Sequence, residues 1–149
     1  MSIRILEGEI RLINLRTRMP FKYGIATMTD VPYAFLKLTV EIDGSRCEGY
    51  AADNLPPKWF TKIPEAPLGA EMTEMLRVIE HARETAIGME ADSPFDLWLD
   101  LYEAQAQWGE SENLAPLLSG FGTSMVERAL IEATCRALGK PFATAMTNN

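Results

Sequence analysis

Residues 33–42, Tyr-Ala-Phe-Leu-Lys-Leu-Thr-Val-Glu-Ile, alternate strictly in character. Phe35, Lys37, Thr39 and Glu41 fall on one face and Leu36, Leu38, Val40 and Ile42 on the other. That period of two is the signature of a half-buried strand. Asp43-Gly44 follows as a tight-turn signal, and Arg46 to Ala51 can return as the second arm of a hairpin. Upstream, residues 3–16 alternate only in part (Ile3 and Ile5, then Ile10, Leu12 and Asn14), with Gly8 a candidate bulge. These signals predict a three-stranded antiparallel meander within residues 1–52.

Residues 53–67 break the pattern. Four prolines in this stretch forbid a helix and any central strand, so it reads as a long loop carrying Trp59 and Phe60. The remainder reads as helical. Met72, Leu76, Ile79, Ala82 and Ala86 recur at spacings of three and four, predicting a helix over 68–87 that stops at Gly88. Ser93-Pro94-Phe95-Asp96 supplies an N-cap, a first-turn proline and a first-turn acid. The helix it opens is expected over 94–108, striped by Phe95, Trp98, Leu99 and Tyr102 and ended by Gly109. Ser124 to Glu127 matches a capping box and predicts a third helix over 124–138, closed by Gly139 and Pro141. Three strands followed by three helices make an α+β domain.

Composition bounds what such a domain can do. Apolar residues make up 47% of the 149, spread along the whole length, which is enough for a packed core. The net charge of −7, with no run of Lys or Arg longer than two, argues against nucleic acid as a partner. Nothing approaches the roughly 20 consecutive apolar residues of a membrane helix, and the N-terminus carries no apolar stretch of signal-peptide length. A cytoplasmic protein with Cys47 and Cys135 as reduced thiols is expected.

Residues for catalysis are sparse. Glu7 and Glu9 share a strand face and could pair as carboxylates, although a solvated face is the favoured reading. His81 is the sole histidine, so neither a second imidazole ligand nor a relay is available. Ser119-Gly120-Phe121-Gly122 could cradle an anion ahead of a helix, but a tight connection that lets two elements pack closely is favoured. No catalytic residue and no metal-ligand set is assigned. More unusual are two segments rich in large side chains. Residues 18–30 read as an irregular loop holding Met19, Phe21, Tyr23, Gly24 and Met28, and the proline-rich stretch holds Lys58, Trp59 and Phe60. Aromatic residues on long loops suggest a contact surface or a cover over a cavity.

Arg18-x-Pro20-Phe21-x-Tyr23-Gly24, a strand ending in Asp43-Gly44 and a return through Glu48-Gly49-Tyr50 resemble the opening of mandelate racemase/muconate-lactonizing members of the enolase superfamily. The segment from Val126 to Phe142 is similar to that family's AxxDAxxRxxGxP helix, with Glu132 where Asp is more usual. The resemblance implies that residues 1–149 are an N-terminal capping domain and that the catalytic barrel is absent from the chain. In the family the barrel holds Mg²⁺ on three acidic ligands and carries the bases that remove a proton α to a carboxylate, as in racemases, dehydratases and cycloisomerases. No cofactor is therefore expected in this chain, and Mg²⁺ is expected in the complete enzyme.

By position, the resemblance also implies that Lys22 and Tyr23 on the first loop, and Asp53, Lys58 and Trp59 on the second, face a substrate. Lys22 and Lys58 would suit a small carboxylate. The implied partners are a barrel domain on the same or a neighbouring polypeptide, and a homo-oligomer is possible. Two alternatives stay open: a stand-alone binding module that kept the lid fold, and a dimerisation domain. Connectivity adds one geometric expectation. In an up-down-up meander, strands one and three exit at the same end, so the two aromatic segments should emerge together and be mobile.

Overall fold

The computed structural model describes residues 1–56, 58–60, 65 and 67–147; part of the expected 53–67 loop lies outside the described residues. Strand β1 (Ile3–Tyr23) turns at Gly24-Ile25 into β2 (Ala26–Ile42), which turns at Asp43-Gly44 into β3 (Ser45–Asn54). Helix α1 (Leu68–Ala86) leads to a two-residue strand β4 (Glu90–Ala91), then α2 (Pro94–Ser111), α3 (Pro116–Leu138) and a short α4 (Phe142–Thr147). The sheet is antiparallel throughout, in the order β3-β2-β1-β4. The architecture is α+β as expected. It adds a fourth strand, which pairs with Ile3 and Arg4 only, and a fourth helix.

The alternation in β2 does what it predicts. Leu36, Leu38, Val40 and Ile42 are all buried beneath the helices, and each contributes roughly 1.5–3 kcal/mol by leaving water. In β1 the alternation is partial because an extra residue, Leu6, interrupts the register between Ile5 and Glu7. Ile3 and Ile5 face the core before it, and Gly8 and Ile10 take the inward positions after it. The bulge is thus at Leu6 and not at Gly8. Gly8 lies beneath Arg83 of α1, where a Cβ would come within 2.6 Å of its Cγ.

One edge of the sheet, β3, is covered from within the domain. Helix α3 covers β3: Glu132 accepts from the Tyr50 amide and Arg128 donates to the Ala52 carbonyl at 3.2 Å. Edge groups that could recruit another chain are thereby satisfied from within. Gly49 makes this close approach possible, since a Cβ there would lie 2.0 Å from the Ala129 carbonyl oxygen.

Three sequence expectations fail here. Residues 18–30 are not an irregular loop but the end of a long β1–β2 hairpin, with a second register shift between Arg16 and Phe21 that hides its alternation. Helix α2 runs past Gly109, which is buried against Ser119 of α3. Its buried face is Leu97, Leu101, Gln105 and Gly109, so the stripe of Phe95, Leu99 and Tyr102 points outward. Helix α3 begins at Pro116, eight residues before the expected capping box. Ser124 is therefore interior to the helix, its hydroxyl donating to the Phe121 carbonyl at 3.1 Å. Ser119 to Gly122 is helix and forms no anion cradle. The close-packing alternative holds for Gly122, which sits against the Val78 carbonyl of α1. At α2 the start is as read, with Ser93 accepting from the Asp96 amide at 3.1 Å.

Candidate functional site

The antiparallel order places the tip of the β1–β2 hairpin beside the segment that leaves β3. Tyr23 and Trp59 meet there, ring centroids 6.1 Å apart, and Phe21 stacks on Tyr23 at 5.8 Å. The expected meeting of the two aromatic segments at one end of the sheet is therefore observed. Between them and the N-terminal half of α3 lies a cavity of about 1040 Å³. The hairpin contributes Phe21, Tyr23 and Met28; Trp59 and Phe60 follow from the β3 exit. Tyr102 of α2 and Leu117 and Phe121 of α3 close the other side. Phe60 packs on Phe121 at 5.1 Å, tying the segment after β3 to the helix layer.

The five residues singled out from the sequence separate on inspection. Tyr23, Asp53 and Trp59 line the cavity. Burial and the nearby Glu71 carboxylate push the Tyr23 phenol above its ordinary value, so it stays protonated at neutral pH. Asp53 is engaged at both oxygens: Arg128 donates to Oδ2 at 3.0 Å, and the Asn54 amide to Oδ1 at 2.9 Å. Lys22 does not line the cavity. It lies on a strand between Phe21 and Tyr23, and period two sends its side chain to the opposite face of the ribbon. Lys58 does not line it either. Its ammonium is buried against Glu71 at 2.8 Å, and Glu71 also accepts from its backbone amide at 2.6 Å. The picture of two ammonium groups over a pocket is therefore corrected: among the described residues no Lys or Arg lines the cavity.

Residues that sequence reasoning passed over are Phe21, Tyr102, Leu117 and Phe121. Phe21 carried a signal, an apolar residue within an exposed segment. Tyr102 was visible only as part of the stripe along the second helix, and Leu117 fell in a stretch given no element.

Other polar features are structural. His81 stacks on Trp108, ring centroids 3.8 Å apart, and its Nδ1 lies 2.6 Å from Gln105 Oε1. Gln105 in turn donates to the carbonyls of Val78 and Ser119, joining α1, α2 and α3. Glu9 pairs with Arg11 at 2.8 Å on the solvated face of the sheet. Arg11 holds the Glu9 carboxyl below its usual range. Both cysteines are free thiols. Among the described residues no three His, Cys, Asp or Glu side chains converge, so these residues do not fit a Mg²⁺ site. No described helix is long and apolar enough to cross a membrane.

Comparison with known proteins locates this arrangement. No protein-family model matches the sequence, and no curated protein matches it either. Solved structures do. An enolase from alpha proteobacterium BAL199 with bound magnesium superposes with a TM-score of 0.69 at 19% identity, over 97% of this chain and 34% of its own. A Bradyrhizobium enolase complexed with magnesium and mandelic acid gives 0.64 at 16% identity, over 99% and 35%. A mandelate racemase/muconate lactonizing enzyme-like protein from Rubrobacter xylanophilus gives 0.63 at 20% identity, over 95% and 33%. The chain spans about a third of the length of each structure. This chain accordingly shares its fold with about one third of each of these enolase and mandelate racemase/muconate lactonizing enzyme-like structures.

Proposed function

We propose that residues 1–149 are the capping domain of a mandelate racemase/muconate-lactonizing-like enzyme, which closes over a small carboxylate held in a barrel. One observation carries the reading: the hairpin tip and the β3 exit converge on a large cavity walled by exposed side chains. Phe21 and Trp59 are each 56% exposed and Leu117 is 68% exposed. Exposed aromatic groups on a concave surface are costly unless something covers them. The outward stripe of α2 reaches the same cavity at Tyr102, giving a continuous apolar surface suited to a barrel domain of the same or a neighbouring polypeptide.

The division of labour follows from the side chains present. This domain supplies walls, water exclusion and choice of substrate, while the barrel supplies the bases and the ligands for Mg²⁺. Complete, the enzyme would abstract the proton α to a carboxylate, as an isomerase or lyase does. Tyr23 and Trp59 are the residues of this chain set to contact substrate, with Asp53 held in place by Arg128.

The test compares the 149-residue chain with a polypeptide in which it is joined to its barrel. Both are incubated in D₂O with Mg²⁺ and a panel of carboxylic acids, and deuterium at the α carbon is read by NMR. Exchange by the joined protein alone is expected. Exchange by the chain alone, or by neither, would remove the proposal. The rival reading, a self-sufficient binding module, would instead show in exchange-free, barrel-independent binding of the acid.

A further inference from the structure

We infer that the cavity selects acids whose group distal to the carboxylate is an aromatic or bulky aliphatic ring, and discriminates against polyhydroxylated ones. The inference rests on the capping reading and deepens it by naming the substrate class.

Two features of the walls point this way. Phe21, Tyr23 and Trp59 present ring surfaces on one side, and Leu117 and Phe121 present apolar surface on the other. A ring placed between them exchanges water for aromatic and aliphatic contacts, including offset or edge-to-face packing on Tyr23 and Trp59. Second, polar groups are few beside the ring and aliphatic surface: Asp53 already accepts from Arg128 and from the Asn54 amide, the Ser124 hydroxyl donates to the Phe121 carbonyl, and the rest are the Asn54 side chain and the polar tips of Tyr23, Tyr102 and Trp59. A chain of hydroxyl groups entering here would lose water and regain few partners, which costs on the order of a kilocalorie per mole or more for each group left unpaired.

Neutral probes isolate the distal group from the carboxylate. Benzyl alcohol and cyclohexanemethanol are titrated against xylitol into the protein, and saturable shifts are followed by NMR at Tyr23 and Trp59. The ring probes should bind and xylitol should not. Trp59→Ala should weaken the ring probes about tenfold, the loss of one well-packed aromatic wall. Leu117→Gln, on an exposed helical turn, serves as an independent second variant and should weaken them less. Equal binding of xylitol, ring-probe binding untouched by both variants, or no saturable binding of the ring probes would each overturn the inference. Substrate ranking in the barrel-bearing protein separates this from the capping proposal. Exchange on sugar acids in preference to aryl acids sinks the inference alone, and exchange on no acid sinks the capping proposal while the probe titration still decides the inference.

Discussion

Two glycines on one helix, Gly120 and Gly122, should respond to alanine in opposite directions. Intrinsic propensity favours alanine at both, by roughly 0.5–1 kcal/mol, because glycine in a helix interior loses the most backbone freedom on folding. At Gly120 nothing lies within 4 Å of the added Cβ, so that gain stands. At Gly122 the Cβ would lie 2.0 Å from the Val78 carbonyl oxygen and 2.9 Å from Gln105 Nε2. Ordinary contact begins near 3.4 Å, so α1 must move from α3 by more than an ångström. The obstacle is backbone, which cannot rotate away. The same movement strains the 3.0 Å bond from Gln105 Nε2 to the Val78 carbonyl. Overpacking of this kind costs about 3 kcal/mol, and the lost hydrogen bond adds to it. Net of the propensity gain, Gly122→Ala should lower Tm by roughly 5–10 °C and Gly120→Ala should raise it by about 1–3 °C. Thermal denaturation of the two variants beside the parent, followed by circular dichroism, reads this directly. A Gly122→Ala protein as stable as the parent would refute the close α1–α3 packing.

Other consequences follow from named pairs. Lys58→Met should cost about 3 kcal/mol in urea denaturation, because it strands the buried Glu71 carboxylate; a loss well under 1 kcal/mol would mean the pair is solvated. Glu48 is held below its usual carboxylate value first by Lys37 and then by the Tyr50 hydroxyl. Its folded value is depressed, so the stability it lends is present above about pH 4.5 and is lost as pH falls through the lowered value. Glu48→Gln should flatten that part of the Tm–pH curve, and an unchanged acid limb would show that the contact is not formed. Trp59→Ala should leave the fold intact, since the ring is more than half exposed, and its Tm should lie within about 2 °C of the parent.

The strand 33–42, its Asp43-Gly44 turn and the helix starts at 68 and 94 were legible because each rests on local physics. Alternation, a turn dipeptide and a Ser93 cap all act within a few residues. What was illegible depended on partners distant in sequence. The β1–β2 arm hid its period behind two register shifts, whose positions are set by the neighbouring strand. Gly109 and Gly122 read as breakers or loop residues because glycine in a helix is locally unfavourable; their reason is the approach of another helix. The outward stripe of α2 has the same helical spacing as a core stripe, and only the position of α3 decides which face is buried. At the site, Tyr23 and Trp59 could be found as large rings in segments expected to be exposed. Lys22 and Lys58 could not be excluded from sequence, since one depends on strand parity and the other on Glu71, thirteen residues away.

The lid role is tested most directly by amide hydrogen exchange on the barrel-bearing protein, with and without a substrate acid. Amides of residues 18–30 and 53–60 should exchange rapidly in the free protein and slow by at least tenfold on adding the acid, while residues 33–42 of β2 and helix α3 stay unchanged. Protection confined to other parts of the domain, with these two segments indifferent to the acid, would contradict the capping role.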